Sequence, residues 1–299
     1  MIIRKLTAVL LICFILFLVG AFLFSRLAHR VPPHTSPATN SPAARAASPA
    51  SPRSASPPAT PPEPAGEASL EKEASPEAGF ALRQGETLEY NANIPKLNST
   101  VADLKIVAAE RKNTGGKGSW HLQAFAHTQN PYRMVFELDD QFDSYSEAGN
   151  MTGLQYEMHL SERGQKVDSV ERLLSSAGDP PPTGISAARV LPGTRDPLGM
   201  LEYLRGVDWN RTPQVRGPVY DGRKLYDVRA ALVGKSAAVS VPAGNFNTTK
   251  IEIHVLDNGT EMKDAHFLLY LTNDSARLPV LMEAVLPVAT ARVELTKAK

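Results

Sequence analysis

The fold of this chain is decided by stretches of strict alternation, such as Leu154-Gln-Tyr-Glu-Met-His-Leu-Ser161. Apolar side chains occupy every second position there, and polar side chains lie between them. Successive side chains of a β-strand point to opposite faces, so this pattern predicts a strand with one buried and one wet face. Antiparallel sheets allow such one-sided burial, whereas parallel sheets rarely do.

The same alternation recurs in four further stretches after residue 80, which begin at Leu88, Tyr226, Ile251 and Ala289. Turn signals separate strand-like runs, and these signals are Gly115-Gly116, Arg163-Gly164, Asp221-Gly222 and Pro242-Ala243-Gly244. Asp221-Gly222 in particular predicts a two-residue type I′ turn. The region is therefore expected to be mainly β and built from antiparallel hairpins.

One short helix is expected within this region. Asp196 can cap its N-terminus, Pro197 suits the first helical position, and Gly206 suits the position just past the C-terminus. Between them, the leucines repeat every three residues along one face, at Leu198, Leu201 and Leu204. The expected architecture is a curved antiparallel sheet or open half-barrel, with this helix packed on the concave side.

The N-terminal residues 1–30 have a different character. Residues 6–24 contain no charge, and a helix of 19 residues spans roughly 28 Å, close to the thickness of a bilayer's hydrocarbon core. We expect a single-pass signal anchor in the inner membrane. The alternative is a cleaved signal peptide, but its apolar region is usually about 7–15 residues long and ends at a small-x-small site, for which no convincing match follows here.

Residues 31–79 are predicted to be a disordered linker. They are mostly Pro, Ala, Ser, Thr and Glu, with Leu70 as the one leucine and no aromatic residue. Such a segment cannot bury enough apolar surface to offset the entropy lost on ordering. The linker would hold the folded domain, residues 80–299, away from the bilayer on the periplasmic side or outside the cell.

Composition excludes several functional classes. The net charge is +1, from 32 basic and 31 acidic residues, so a nucleic-acid partner is not expected. The single cysteine, Cys13, lies in the apolar run, which rules out an internal disulfide or a Cys-rich zinc site. No GxGxxG, HExxH or GxSxG motif occurs. We therefore expect no cofactor and no catalytic residues.

A metal site is not expected either. The spacing of the seven histidines does not support one, although strands far apart in sequence could bring two or three together. Asp139, Asp140 and Asp143 form an acidic cluster after a predicted strand at residues 132–138, without the alternating ligands and glycine of a calcium loop. This cluster is interpreted as a solvated turn.

Five segments occur in order across residues 80–299. They are Gly85-Glu-Thr-Leu-Glu-Tyr90, Arg195-Asp-Pro-Leu-Gly-Met-Leu-Glu-Tyr-Leu-Arg205, Tyr220-Asp-Gly-Arg-Lys-Leu-Tyr-Asp-Val228, Val241-Pro-Ala-Gly244 and Asp274-Ser-Ala-Arg-Leu-Pro-Val280. Together they resemble the bacterial envelope family known as domain of unknown function 3108. The resemblance implies an exported β-rich domain, similar in shape to the outer-membrane lipoprotein carriers whose half-barrels bind acyl chains. The family has no established activity, so the resemblance assigns no catalytic residue.

Two functional hypotheses lead. In the first, a membrane-anchored, non-catalytic envelope domain binds an apolar ligand, such as a lipid or acyl chain, in the concave sheet. Its candidate ligand-binding residues are Tyr90, Tyr156, Met158, Leu201, Tyr226 and Ala230. In the second, the chain is a structural or adaptor protein that binds an envelope protein through a strand edge or a groove. An enzyme would need a convergent set of perturbed titratable groups, and we expect none.

Overall fold

The computed structural model describes the chain after its N-terminal segment, at residues 82–176, 178–179, 182–262, 266–285 and 290–299. The predicted membrane segment and the predicted linker lie outside the described residues, so both stay predictions, as does the division into three regions. Within the described ranges, no helix is long and apolar enough to cross a membrane.

The described part of the chain is mainly β, as the alternation predicts, with one α-helix, α1 (Pro197–Gly206). The strands are β1 (Thr87–Ile94), β2 (Ser99–Thr114), β3 (Lys117–Thr128), β4 (Asp139–Glu147), β5 (Gly153–Glu162), β6 (Gln165–Leu174), β7 (Ser186–Arg189), β8 (Gln214–Tyr220), β9 (Leu225–Val241), β10 (Gly244–Asp257), β11 (Thr260–Glu261), β12 (His266–Thr272), β13 (Pro279–Val285) and β14 (Thr290–Ala298).

These strands form a single sheet in the order β7-β6-β5-β4-β3-β2-β1-β14-β13-β12-β10-β9-β8, and β11 pairs with β10 outside this path. The first and last strands, β1 and β14, lie side by side in the middle, with Ala92 opposite Val293. The ladders are antiparallel except for the parallel pair β6–β7. The predicted antiparallel sheet is thus confirmed, whereas the parallel pair had no counterpart in the predictions.

The alternating residues form the core. In β1 every second residue from Leu88 to Ile94 is buried, and in β5 the same holds for Tyr156, Met158 and Leu160. The buried faces of the strands contribute to one continuous apolar cluster together with α1. Period-two patterning therefore identifies which face of β1 and of β5 is buried.

The sheet is curved, so that strands near its two ends approach each other. The segment that leads into α1 lies between them and makes backbone hydrogen bonds to both. The Thr194 carbonyl accepts a hydrogen bond from the Gly153 N–H of β5 (2.9 Å). Its neighbour Arg195 exchanges two backbone hydrogen bonds with β8, donating to Pro218 O (3.0 Å) and accepting from Tyr220 N (2.8 Å). A short stretch of backbone thus bridges the opening between the two ends of the sheet.

Helix α1 lies inside this curved sheet, and all ten of its residues are buried. Asp196 caps it as predicted, since its side chain accepts from the Gly199 N–H at 2.9 Å. The predicted C-terminus is wrong by one position, because Gly206 is the last helical residue and extended Val207 follows. The Arg277 guanidinium donates to the carbonyls of these two residues, so the helix ends without a left-handed glycine.

The predicted two-residue turn at Asp221-Gly222 is also wrong, because the connection between β8 and β9 spans residues 221–224. The Asp221 side chain accepts hydrogen bonds from the N–H groups of Arg223 (2.8 Å) and Lys224 (2.9 Å), which stabilises the longer loop. By contrast, Gly115-Gly116 and Arg163-Gly164 do form two-residue connections, with positive φ at all four residues.

The strand predicted at residues 132–138 does not form, and the acidic cluster that follows it is not a turn. Tyr132–Met134 is a 3₁₀ turn, and the aspartates lie within β4, where Asp140 and Asp143 are buried. Three core-facing positions of β4 carry polar side chains, and these residues are Asp140, Ser144 and Ser146. The sequence of β4 therefore does not alternate between apolar and polar residues.

Candidate ligand-binding cavity

A largely apolar cavity of about 60 Å³ lies between α1 and the strands β8, β9, β10 and β12. Its lining residues come from the helix, the β8–β9 hairpin, the end of β10 and β12, and they are Pro197, Met200, Leu201, Leu204, Val219, Asp221, Tyr226, Val228, Ile253, Val255, Met262 and Phe267. Asp221 is the one charged residue among them. Among the described residues the lining contains no serine, cysteine, histidine or lysine, and its polar side-chain groups are the Asp221 carboxylate and the Tyr226 hydroxyl.

The helical wall is fixed at its N-terminus. The Asp196 carboxylate that caps α1 also accepts a hydrogen bond from Ser144 Oγ of β4 at 2.7 Å. The backbone approaches β4 closely at Gly199, where a Cβ atom would lie 2.6 Å from Ser146 Oγ and 3.0 Å from Met151 O. Only glycine permits this spacing without displacement of the neighbouring chain.

The C-terminal end of α1 is fixed by a buried ionic network. The Arg205 guanidinium pairs with Glu86 (2.6 Å) and with Glu202 (3.1 Å), and it also donates to the Ala276 carbonyl (3.0 Å). Burial raises the pKa of Glu202, and the Arg205 charge opposes that shift. Anchored at both ends, the helix forms a fixed wall of the cavity rather than a mobile lid.

The opposite wall is formed by strands. Val228, Ile253 and Val255 line it with branched side chains, and the Tyr226 ring lies near the β8–β9 connection. Burial raises the pKa of the Tyr226 hydroxyl, and the negative charge of Asp221 raises it further. The tyrosine is therefore a neutral group at physiological pH, and it can take part in binding but not in proton abstraction.

Asp221 is the unusual member of the lining, because it is a carboxylate with 3% of its surface exposed. Its Oδ1 atom accepts the two loop N–H groups described above, whereas Oδ2 has no hydrogen-bond partner among the described residues. Burial raises the pKa of this carboxyl, and the loop N–H groups oppose the shift. An acceptor without a donor in an apolar cavity is costly unless a bound group satisfies it.

Two of the six sequence-predicted ligand-binding residues, Leu201 and Tyr226, line this cavity. The structure places the other four in the same buried interior without bringing them to the cavity wall, and these are Tyr90, Tyr156, Met158 and Ala230. The Tyr90 hydroxyl donates to the Pro279 carbonyl (2.9 Å), and the Tyr156 ring stacks on Phe142 with 6.5 Å between centroids. These tyrosines contribute to core packing.

Sequence reasoning missed Asp221 as a site residue. An aspartate before glycine is typical of a turn, and the turn role is real, since Oδ1 stabilises the loop. The second oxygen is buried only because the hairpin tip packs onto β5, where Gly222 approaches Tyr156 and Met158. No local pattern in the sequence signals that contact.

A polar cluster lies on the other face of β4 and β5. Donor atoms of Asp143, Glu157 and His159 lie within 4.8 Å of one another, a spacing that could hold a metal ion. Asp143 already accepts from His121 Nε2 (2.6 Å) and Gln141 (2.6 Å), and His159 pairs with a carboxylate of its own. The Asp143 and His159 side chains thus already have hydrogen-bond partners within the protein, whereas the buried His121 Nδ1 has none among the described residues.

Comparison with known proteins gives a family match. The family model described as protein of unknown function (DUF3108) matches residues 89–296. A comparison with curated proteins found no significant match.

Several solved structures resemble the chain at low identity. A β-barrel-like protein of domain of unknown function DUF1849 from Brucella abortus is 12% identical, covers 73% of this chain and 98% of its own, and has a TM-score of 0.46. A protein described as a lipoprotein from Parabacteroides distasonis is 11% identical over 74% and 98%, with a TM-score of 0.35. A protein described as exported, with a YmcC-like fold, from Bacteroides fragilis is 10% identical over 75% and 99%, with a TM-score of 0.30.

Proposed function

This chain belongs to the DUF3108 family of proteins of unknown function, and from that premise we propose that it is a non-catalytic envelope protein. Its β domain binds an apolar ligand, a lipid or an acyl chain, in the cavity between α1 and the β8–β12 region. Residues 6–24 anchor it in the inner membrane by a single span, and the β domain lies on the periplasmic side or outside the cell.

The observation that carries this proposal is the cavity itself. Apolar cavities inside proteins stay dry and take up apolar molecules. A volume of about 60 Å³ provides space for roughly four water-sized groups. The cavity therefore fits the end of an alkyl chain, and the rest of a longer chain would extend out of it.

The predicted tether supports the choice of ligand. An uncharged run at residues 6–24 would tether the domain to the bilayer, and the proline-rich linker at residues 31–79 would hold it away from the membrane but within reach of its surface. Lipids are the apolar molecules available at that surface. A tethered domain meets them at a higher effective concentration than a free one.

Methionine methyl groups provide the test, because Met200 and Met262 line the cavity whereas Met134 is exposed at 86%. We expect ¹³C-methyl NMR of the full-length chain in lipid nanodiscs to show saturable shifts of the two cavity methionines when octanol is added. The Met134 signal should stay unchanged. An absence of any saturable shift at the cavity methionines would refute the proposal.

A matched pair of variants locates the binding. Val255→Trp places a large ring into the cavity wall and should abolish the shifts. Val233→Trp adds the same ring at an exposed position of the neighbouring strand β9 and should leave them intact. Equal effects of both variants would assign the shifts to something other than the cavity.

A structural or adaptor role is the second candidate, and the position of β7 favours it. Ser186–Arg189 stands at the end of the strand order, with mostly exposed residues. A partner strand could pair with its outer edge. This role requires no ligand in the cavity, so a negative NMR titration would favour the adaptor role over ligand binding.

A further inference from the structure

We propose that the cavity selects amphiphiles whose polar end donates a hydrogen bond, such as an amine or a hydroxyl, and that it discriminates against carboxylates. The inference rests on the proposed function, and it assigns Asp221 Oδ2 as the acceptor for the ligand's polar end. It adds a head-group preference to a cavity that would otherwise bind any alkyl chain.

The geometry holds Asp221 Oδ2 in a fixed orientation from which it can accept a hydrogen bond. Oδ1 is held by the N–H groups of Arg223 and Lys224, and the Asp221 N–H donates to the Lys224 carbonyl (3.2 Å). The carboxylate is thereby fixed in orientation, while Oδ2 remains without a hydrogen-bond partner among the described residues. Besides burial, the Asp221 charge and a hydrogen-bonding interaction with its side chain both raise the pKa of the neighbouring Tyr226 hydroxyl. Even so, Oδ2 has no hydrogen-bond partner of normal distance and angle among the described residues.

The neighbouring cations do not form a salt bridge with Asp221 in the described part of the chain. The Lys224 ammonium pairs with the Asp257 carboxylate at 2.6 Å. The charges of Lys224 and Arg223 oppose the rise in the pKa of Asp221 from a distance, and a donor entering with a ligand would supply the hydrogen bond that Oδ2 lacks. A ligand carboxylate would instead place a second negative charge beside Oδ2, which disfavours binding.

Three ligands of one chain length test the preference. Octylamine, octanol and octanoate are titrated separately into the full-length chain, with the methyl shifts of Met200 and Met262 as the readout. We expect octylamine and octanol to bind at least about tenfold more tightly than octanoate, because a buried acceptor left without a donor typically costs that factor or more.

Asp221→Asn is the informative variant, because its side-chain oxygen can still accept the two loop N–H groups. Its new amide donor should remove the preference, weakening octylamine about tenfold and leaving octanoate unchanged or improved. Asp227→Asn removes a carboxylate from the same hairpin, where it pairs with Arg216 outside the cavity lining, and it should preserve the order of affinities.

The outcomes distinguish a failure of the head-group preference from a failure of the proposed function. If none of the three ligands shifts the cavity methionines, the proposed function fails. If all three bind with equal affinity, or octanoate binds best, the head-group inference alone is overturned. The wild-type titrations decide this even if Asp221→Asn does not fold. An unchanged order of affinities in a folded Asp221→Asn variant overturns the assignment of Asp221.

Discussion

Arg205 in α1 and Glu86 ahead of β1 form a buried two-pronged ion pair, although 119 positions separate them in the sequence. Its two N–O distances are 2.6 and 3.0 Å. The pair fixes the end of the only α-helix in the described ranges to the central strand region of the sheet. The wall of the cavity is thus held in place by a contact between distant parts of the chain.

Replacing Arg205 with methionine should strongly destabilise the protein. Glu202 would remain buried and Glu86 half-buried without their partner, and breaking a buried pair typically costs about 3–5 kcal/mol. Thermal unfolding of the full-length chain measures the loss. Arg211→Met is the control, since its pair with Asp208 is exposed and should contribute less than about 1 kcal/mol. Equal losses in the two variants would contradict a special role for the buried pair.

Truncating Leu201 to alanine should also lower stability. This side chain is 1% exposed on the inner helix, and removing a buried leucine typically costs about 2–5 kcal/mol through lost transfer energy and an enlarged cavity. Leu191→Ala provides the comparison, because Leu191 is 51% exposed. A melting temperature for Leu201→Ala within error of the wild type would show that the helix does not pack as described.

Gly199→Ala should destabilise the protein although it lies in a helix. Alanine normally stabilises a helix by up to about 1 kcal/mol relative to glycine. Here the added methyl would collide with Ser146 Oγ and the Met151 carbonyl, so the sign should reverse. Gly118→Ala adds the same group where nothing lies within 4 Å, and its effect on the unfolding free energy should be small. A stabilising Gly199→Ala would disprove the close approach.

The buried carboxyl of Asp140 should make stability pH-dependent. Burial raises its pKa to about 7 from an ordinary value of 3.8. The folded state therefore retains a proton that the unfolded chain loses, so this group's contribution to the unfolding free energy declines as the pH rises from about 4 to 7. The total decline is on the order of 2–4 kcal/mol.

Asp140→Asn tests this dependence, because the amide carries no charge and its oxygen can still accept from the Ser161 N–H. We expect the variant to melt higher than the wild type at pH 8 and close to it at pH 4. Asp257→Asn, at a half-buried position with an ion-pair partner, should not reproduce the pattern. A variant that is no more stable than the wild type at pH 8 would show that Asp140 does not carry this cost.

The proposed membrane topology predicts the behaviour of a C-terminal reporter. With residues 6–24 as the single span and the β domain outside the cytoplasm, an export-dependent enzyme fused after Lys299 should be active. A reporter that functions only in the cytoplasm should be inactive at the same position. The opposite pattern would place the domain inside the cell.

Much of the sheet could be predicted locally. The alternation around Leu88 and Leu154 identified strands and their buried faces. Successive side chains in a strand point to opposite faces of the sheet, so every second residue lies on the same face. Strand β4 escaped this reasoning because polar groups occupy its core-facing positions. Ser144 and Ser146 lie there to hydrogen bond with Asp196, a residue about fifty positions away.

The candidate site was only partly predictable. Leu201 and Tyr226 could be proposed from apolar periodicity, since both lie on faces that must be buried somewhere. Which buried face borders a cavity and which is filled depends on how side chains from separate strands pack together. Tyr90 and Tyr156 have the same local pattern as Tyr226, yet they pack in the core outside the cavity wall.

By itself the sequence determined the β class, the buried face of several strands and the start of the helix at Pro197 with its Asp196 cap, because these depend on neighbours a few residues apart. The tertiary structure decided that the helix lies inside the curved sheet and that a cavity remains beside it. It also decided that one oxygen of Asp221 is buried without a hydrogen-bond donor from the described part of the chain. Those features depend on contacts between residues far apart in the chain, such as Gly222 against Met158, and no local pattern encodes the distance between them.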